Sequence, residues 1–410
     1  MPKAIVVTGE DRIPTGRLLF ETDGRRSHST FLYDPSWRDR PDGFDLSPSI
    51  LRSPIPHHAS SSGAAGRDMD ALSGPFADAS PDSWGRRVMR SAYGESLTEF
   101  DYLVHVDDFS RQGALRFLDV EGAAFPTRSF ETPKISDLKE LQQLTERFEL
   151  ERELPEGGAL RLAEATGSLG GARPKVNVVD GVSLWVAKFT SVKDTWPVER
   201  LEVATLHLAK LAGLRVPGAR LELSQGDQPI ALFERFDRNG DARIPYMSAR
   251  TALGKEGTEP GHYTDIADVL RNLSPSSGDD LRELWLRMVF GILVTNTDDH
   301  LKNHGLLRDA NGSWRLSPVF DINPQPRRQP GMKTGISPIH GFAPSIAAAV
   351  DAAPLFDVDE VEARNLARDA AEEIRNEWRN VLKRHGIAGS AISACAPAFE
   401  HERSEAALSL

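Results

Sequence analysis

The chain has 410 residues, of which 40% are hydrophobic and 27% charged, the proportions of an ordinary soluble globular protein long enough for two or three domains. Its net charge of −11 argues against a chain that grips nucleic acid by itself, because phosphate binding needs clustered Lys and Arg. A single cysteine, Cys395, makes neither an internal disulfide nor a thiolate metal site; the first residues lack a signal-peptide core, and no run approaches the ~18 apolar residues of a membrane span, so a cytoplasmic protein with no membrane contact is expected.

Residues 1 to about 125 read as β-rich, with short strands at Ala4–Val7, Arg17–Phe20, Thr30–Tyr33 and Gly113–Phe117. The Ser/Gly/Pro-rich run Ser53–Gly66 reads as a loop, and Asp82 reads as the cap of a helix running through Trp84 to Met89. Residues 133–150 carry Leu138, Leu141, Leu144 and Phe148 at helical spacing. After punctuation at Pro155–Gly158 comes Thr166-Gly167-Ser168-Leu169-Gly170-Gly171-Ala172-Arg173-Pro174-Lys175, then a hairpin of Val176–Val179 and Leu184–Phe189 around Asp180-Gly181. Gly170 and Gly171 would let backbone N–H groups approach a phosphate, and Lys188, between apolar neighbours, has the pattern of a kinase strand lysine. A plain loop and an exposed strand lysine are the alternatives.

A helix is predicted over Val198–Leu211, stopped by Gly213. It carries Glu202, which stands where a kinase helix glutamate pairs with the strand lysine, or is one more solvated glutamate. Pro229–Asp237 reads as a strand leaving into a connector, the place of a hinge. Beyond it helices are predicted at Tyr263–Asn272, Asp280–Thr295, Ser345–Ala353 and Glu360–Arg384.

The second of these helices is the most informative. Leu284, Trp285, Met288, Val289, Ile292 and Leu293 cover most of its circumference, the mark of a buried helix. It runs into Asn296, Asp298, Asp299, His300, Lys302, Asn303 and His304, polar groups that need a reason to stand there. Asp298 and Asn303 have the D-x(4)-N spacing of a kinase catalytic loop. Two short strand fragments, Trp314–Leu316 and Val319–Phe320, lead directly to Asp321, where a second metal-binding Asp would sit. A magnesium ion takes one or two carboxylates with carbonyl and phosphate oxygens, and Asn303 with Asp321 would supply that set. Asp and Asn also cap helices and form turns, so this spacing alone leaves both readings open. What favours phosphoryl transfer is the order: Gly loop, strand lysine, helix glutamate, hinge, buried helix, D-x(4)-N, metal Asp.

Several stretches together carry a family resemblance: Ser168–Lys175, Glu202–Pro217, Phe233-Glu234-Arg235-Phe236-Asp237-Arg238, Asn296-Thr297-Asp298-Asp299-His300-Leu301-Lys302-Asn303 and Ser317-Pro318-Val319-Phe320-Asp321. With Tyr33–Trp37 and Gly113–Phe117 they resemble the HipA family, serine/threonine-kinase toxins of bacterial type II toxin–antitoxin modules. The resemblance implies an α+β, two-lobed protein-kinase-like fold. Its parts would be a β-rich N-terminal subdomain over 1–125, a kinase-like N-lobe with Gly-rich loop and strand lysine over 126–236, and a mainly helical C-lobe over 237–410.

It also implies ATP and Mg²⁺, a protein target such as an aminoacyl-tRNA synthetase, growth arrest, and self-phosphorylation of Ser168. The implied partner is a HipB-type helix-turn-helix antitoxin, with DNA reached only through the antitoxin complex. In this scheme Asp298 is the base, Asn303 and Asp321 hold Mg²⁺, and Lys188, steadied by Glu202, meets the phosphates. Glu234 and Phe236 offer hinge backbone to adenine, His300 supports the catalytic loop or a phosphate, and Lys175 orders the loop of Gly170 and Gly171. Asn296-Thr297-Asp298 replaces H-R-D, Asp321-Ile322-Asn323 replaces D-F-G, and neither G-x-G-x-x-G nor A-P-E is visible, so activation-loop control lacks its parts. A kinase-fold binding module and a small-molecule kinase are the competing readings. Lys188, Asp298, Asn303 and Asp321 together weigh against the binding module.

Overall fold

A computed structural model of the chain describes residues 3–23, 26–61, 71–125, 129–168, 170–223, 228–326 and 331–410. Its contacts divide the chain into two units, Met1–Val192 with Glu234–Thr258, and Lys193–Phe233 with Glu259–Leu410.

In the first unit, β1 (Lys3–Thr8), β2 (Ile13–Asp23), β3 (Arg26–Tyr33), β4 (His57–Ser60) and β5 (Leu115–Leu118) form an antiparallel sheet in the order β4-β3-β2-β1-β5. Alternation fixes its faces: Ala4 and Val6, Leu18 and Phe20, and Phe31 and Tyr33 point inward at every second residue. Onto that face pack Trp37 of α1 (Pro35–Arg38) and Phe76 of α2 (Gly74–Asp78). α3 (Ser83–Tyr93) follows, and α4 (Glu99–Val104) adds Phe100 and Leu103 to the same core.

Two expectations need correction here. The predicted Ser53–Gly66 loop contains β4, whose His57–Ser60 pairs with His28–Phe31; residues 62–66 lie outside the described residues. An edge strand of polar residues is held by main-chain hydrogen bonds, which leave no hydrophobic signature. Asp82 does stand at the N-cap position of α3, but its side chain accepts no hydrogen bond from that helix. It accepts one from Gly171 N–H instead, at 2.9 Å.

The predicted helix over 133–150 is a 3₁₀ turn at Ile135–Asp137 followed by α5 (Leu138–Glu149). α6 (Gly158–Thr166), unanticipated, buries Leu162, Ala163 and Ala165 and delivers the chain to the Gly-rich segment. β6 (Lys175–Asp180) and β7 (Ser183–Phe189) then form the expected hairpin, with Lys175 directly opposite Lys188.

The second unit is mainly helical. Helices Val198–Leu211 and Glu360–Arg384 have the predicted bounds. Asp359 caps the longer one by accepting from Glu362 N–H, and Ala370, Ile374, Trp378 and Val381 line its buried face. The helix Gly278–Leu293 is buried from Leu284 onward: its six predicted apolar residues are at most 1% exposed, about 9–18 kcal/mol of gross burial at about 1.5–3 kcal/mol each. Trp285 Nε1–H donates to Ala349 O of the helix Ile346–Asp351 at 2.8 Å. Trp314–Leu316 is a strand paired with Gly305–Arg308, but Val319–Phe320 is not; Val319 N–H donates to Arg215 O at 2.8 Å and the segment joins no ladder. Among the described residues no helix is long and apolar enough to cross a membrane.

Candidate active site

The Gly-rich segment lies in the first unit; Leu169 lies outside the described residues. Ser168 is buried, 2% exposed, and its Oγ accepts from Gln112 N–H at 2.8 Å. Gly171 has a φ of +108°, and a Cβ there would come within 2.5 Å of Lys175 Nζ. A Cβ on Gly170 would meet Asp82 Oδ2 at 2.9 Å. Backbone conformation therefore calls for glycine at 171 before any ligand arrives, whereas at 170 a Cβ would only push aside the end of the Asp82 side chain. The Lys175 ammonium donates to Gly170 O, closing the loop on itself. Directly opposite residues of an antiparallel pair share a face, so Lys175 and Lys188, both buried, stand side by side beneath this loop. Gly170, Gly171 and Lys175 are therefore in contact, with Lys188 beside Lys175 on the paired strand and Ser168 held separately by Gln112.

The connector after β7's neighbourhood is tied just as firmly. Arg235 N–H donates to Leu184 O at 2.9 Å, and Glu234 Oε1 accepts from Ser183 Oγ at 3.2 Å, placing Glu234 and Phe236 on either side of a main-chain bond to β7. Arg235 also reaches Ser110 O at 2.6 Å, Asn177 Oδ1 at 2.8 Å and Asp237 Oδ1 at 2.8 Å. Asp237 accepts further from Gly113 N–H at 2.7 Å and Arg238 at 2.8 Å. Burial alone would raise the Asp237 carboxyl pKa, but Arg235 and Arg238 hold it well below the usual carboxylate range. Asn177 Nδ2 donates to Thr166 O at 3.1 Å, so this buried charge network reaches the start of the Gly-rich segment.

The second unit holds Glu202, Asp298, His300, Asn303 and Asp321. Glu202 is buried on the helix Val198–Leu211. The helix Gly278–Leu293 ends in a turn where Thr295 takes a left-handed φ of 56° and Asn296 N–H donates back to Gly291 O at 2.8 Å, the arrangement that glycine usually closes. A β-branched residue there is strained. Two contacts hold it: Thr295 Oγ1 donates to Ala398 O at 3.0 Å and accepts from Arg403 at 3.1 Å. That turn aims the chain into the predicted catalytic loop.

Asp298 is exposed, as a base that meets a substrate must be, while Asn303 is buried in a 3₁₀ turn at Leu301–Asn303. Asn303 Nδ2 donates to Asp298 O at 3.4 Å, leaving its Oδ1 for a cation. Asp321, at a φ of 59°, is bound to the same frame: Asn323 Nδ2 donates to Asp321 Oδ1 at 3.2 Å and Asn323 N–H to Asn296 Oδ1 at 3.1 Å. Gln325 N–H donates to Thr295 O at 3.0 Å. Asn323 Oδ1 is buried without a partner, as is His300 Nδ1. Among the described residues no group of three or more His, Cys, Asp and Glu could hold a metal. A single carboxylate, an amide oxygen and an orphaned acceptor nearby instead fit a hard cation that brings phosphate oxygens with it.

Sequence reasoning missed the supports. Asp299 Oδ2 accepts from the Tyr263 hydroxyl and lies 3.1 Å from His304 Nε2. Burial would raise the Asp299 carboxyl pKa, yet His304 and the Tyr263 hydroxyl hold it below the ordinary range. Burial, reinforced by Asp299, pushes the Tyr263 phenol well above its usual pKa, so it stays a donor. Asp299 and His304 repeat the five-residue spacing of Asp298 and Asn303, a signal that was present; Tyr263, 36 residues upstream of Asp299, gave none.

Comparison with known proteins gives the following. The family of the HipA-like C-terminal domain matches residues 167–378. A candidate kinase of Sinorhizobium fredii, Y4mE, is 30% identical over 132 residues, 30% of this chain and 31% of that protein. A candidate kinase of Haemophilus influenzae is 26% identical over 142 residues, 30% of this chain and 41% of that protein. The chain thus spans between about a third and two fifths of the length of these curated relatives. Among solved structures, the Shewanella oneidensis complex of HipA, HipB and operator DNA contains a chain that superposes with a TM-score of 0.68 at 16% identity, covering 99% of this chain and 96% of that one. The two share a fold.

Proposed function

Since this chain belongs to the family of the HipA-like C-terminal domain, which matches more than half of it, we propose that it is an ATP- and Mg²⁺-dependent serine/threonine protein kinase that phosphorylates a protein target and its own Ser168. The observation that carries the reading is the single frame in which Asn296 and Asn323 join the loop of Asp298 and Asn303 to Asp321. An exposed carboxylate beside two oxygen donors for a cation is what transfer of a phosphoryl group to a hydroxyl requires.

In this reading Asp298 orients the attacking hydroxyl and accepts its proton as the new P–O bond forms and the bond to the leaving ADP oxygen breaks. Asn303 and Asp321 hold the magnesium ion, which neutralises charge on the transferring group. Lys188 contacts the phosphates, Glu202 is the helix glutamate of the scheme, Lys175 keeps the Gly170–Gly171 turn closed, and the backbone at Glu234 and Phe236 receives adenine. His300 supports the loop. The functional division remains the β-rich 1–125, the nucleotide-binding 126–236 and the helical 237–410.

A phosphate adds about −1.5 to −2 charge to Ser168. Ser168 is 2% exposed and its hydroxyl is held against Gln112 N–H, so a phosphate there would displace the segment, and loss of nucleotide binding is the expected result. The Shewanella protein assembles with HipB and operator DNA. By analogy we assign this chain a HipB-type antitoxin partner in the cytoplasm, with DNA reached only through that partner and an aminoacyl-tRNA synthetase as the first target to assay.

Incubation with Mg·ATP followed by phosphopeptide mass spectrometry tests the reading. Phosphate on Ser168 in the wild type and none in Asp298→Ala is expected. No phosphate in either, with ATP still bound by calorimetry, would move the assignment to a kinase-fold binding module.

A further inference from the structure

Four consecutive residues, Asp82, Ser83, Trp84 and Gly85, open α3, and three of them engage the Gly-rich segment on both of its flanks. Asp82 Oδ2 accepts from Gly171 N–H at 2.9 Å. Trp84 donates twice, from its main-chain N to Gly171 O at 3.4 Å and from indole Nε1 to Lys175 O at 3.1 Å. At Gly85 an added Cβ would sit 3.2 Å from Thr166 Cγ2 and 3.7 Å from Gly167 O, so α3 also lies hard against the residues before Ser168. The indole cannot drift: Trp84 is buried, and its ring meets Phe148 edge-on at 5.4 Å. The Asp82 carboxylate has left the ordinary task of its position, capping α3, to make this contact.

We propose that Asp82, with Trp84, is a positioning residue that holds the Gly171–Lys175 turn in the shape where the Lys175 ammonium closes on Gly170 O, the shape that receives nucleotide phosphates. The control comes from the β-rich part of the chain, which the reading of the active site otherwise leaves without a task. A hydrogen bond between a carboxylate and a backbone N–H is stronger than a neutral one, so its loss should show as a change of about tenfold or more. The proposal rests on the kinase reading for its ligand but not for its geometry.

The test therefore has two arms on the full chain. Hydrogen exchange of the Gly171 amide, read without nucleotide, should speed up about tenfold in Asp82→Ala and stay near wild type in Asp82→Asn, which keeps an acceptor oxygen. The KM for ATP should rise about tenfold in Asp82→Ala with kcat within about twofold, and recover in Asp82→Asn. Trp84→Phe, which keeps the ring and removes the donor, should move both readouts the same way by less. Unchanged exchange and KM in Asp82→Ala overturn the proposal. So does tighter ATP binding in both Asp82 variants, since the carboxylate would then be competing with phosphate. A wild type that binds no ATP refutes the kinase reading, and the exchange arm still decides the clamp.

Discussion

The loop of Asp298 and Asn303 and the Gly-rich segment are held by different means. The loop around Asp298 is braced by side chains from distant parts of its unit: Tyr263 on Asp299, Arg403 on Thr295 and Asn323 on Asp321. The Gly-rich segment is held mostly through its own main chain, by Asp82 and Trp84 at Gly171 and Lys175, by Asn177 at Thr166, and by Gln112 N–H on the Ser168 hydroxyl. Side-chain bracing fixes the atoms at the ends of side chains; hydrogen bonds to the main chain of a glycine turn fix the path of the backbone itself.

The largest effect should come from removing chemistry without touching the brace. Asp298→Ala should lower kcat by about 10²–10⁴-fold. Because Asp298 is exposed, stability should shift by no more than about 0.5 kcal/mol in urea denaturation. A large loss of stability would mean that Asp298 is structural and the contrast between brace and chemistry is misplaced.

Asp237→Asn asks whether the Gly-rich segment depends on its buried charges. It leaves Arg235 and Arg238 short of their counter-charge, so a cost of about 3–5 kcal/mol is expected. Faster exchange at the amides after Thr166 should accompany it, since Arg235 holds Asn177 and Asn177 holds Thr166 O. If exchange there is unaltered, the two ends of that network are uncoupled.

Tyr263→Phe deprives the buried Asp299 carboxylate of a donor, an expected loss of about 1–3 kcal/mol near neutral pH. The pH dependence follows from the direction of the shift. The folded Asp299 carboxyl lies below its unfolded value, so its stabilisation is complete above about pH 4 and is lost as pH falls through the folded pKa. With the hydroxyl gone that pKa rises, and acid unfolding should begin at a higher pH than in the wild type. An unchanged acid limb would remove Asp299 from the brace.

The smallest effect is the most discriminating. Thr295→Val keeps the shape and the left-handed strain but loses both side-chain hydrogen bonds, for about 1–2 kcal/mol; Thr295→Gly loses the same bonds and relieves the strain, so it should cost less. If glycine is the worse substitution in thermal denaturation, the turn is held by more than Ala398 and Arg403.

The same contrast explains what could be read in advance. The helices Val198–Leu211 and Glu360–Arg384 and the buried helix before Asn296 announce themselves because their apolar spacing and the packing it serves coincide. Asp298, Asn303 and Asp321 could be nominated because their spacing is local and their order along the chain is informative. β4 was missed because its pairing is main-chain, and α6 because Pro155–Gly158 drew attention to a break rather than to the buried Leu162 and Ala163 behind it. Asp82 was read as the helix cap that its position suggests, and a partner 89 residues away leaves no trace in local sequence. Val319–Phe320 has strand-forming residues, but its main-chain bond from Val319 N–H to Arg215 O is not part of a ladder.

In the proposed reading, the buried Ser168 hydroxyl would work as a clock. A group 2% exposed and already accepting from Gln112 N–H meets a phosphoryl donor only during the fraction of time that its segment is away from that place. Every ~1.4 kcal/mol that departure requires divides that fraction, and with it the rate of modification, by ten. Under that proposal, how many targets one molecule would modify before silencing itself is decided by how rarely the segment departs and not by the speed of phosphoryl transfer. A substitution that loosens the hold of Gln112 on Ser168 would then shorten the working life of the kinase while leaving each turnover as fast as before.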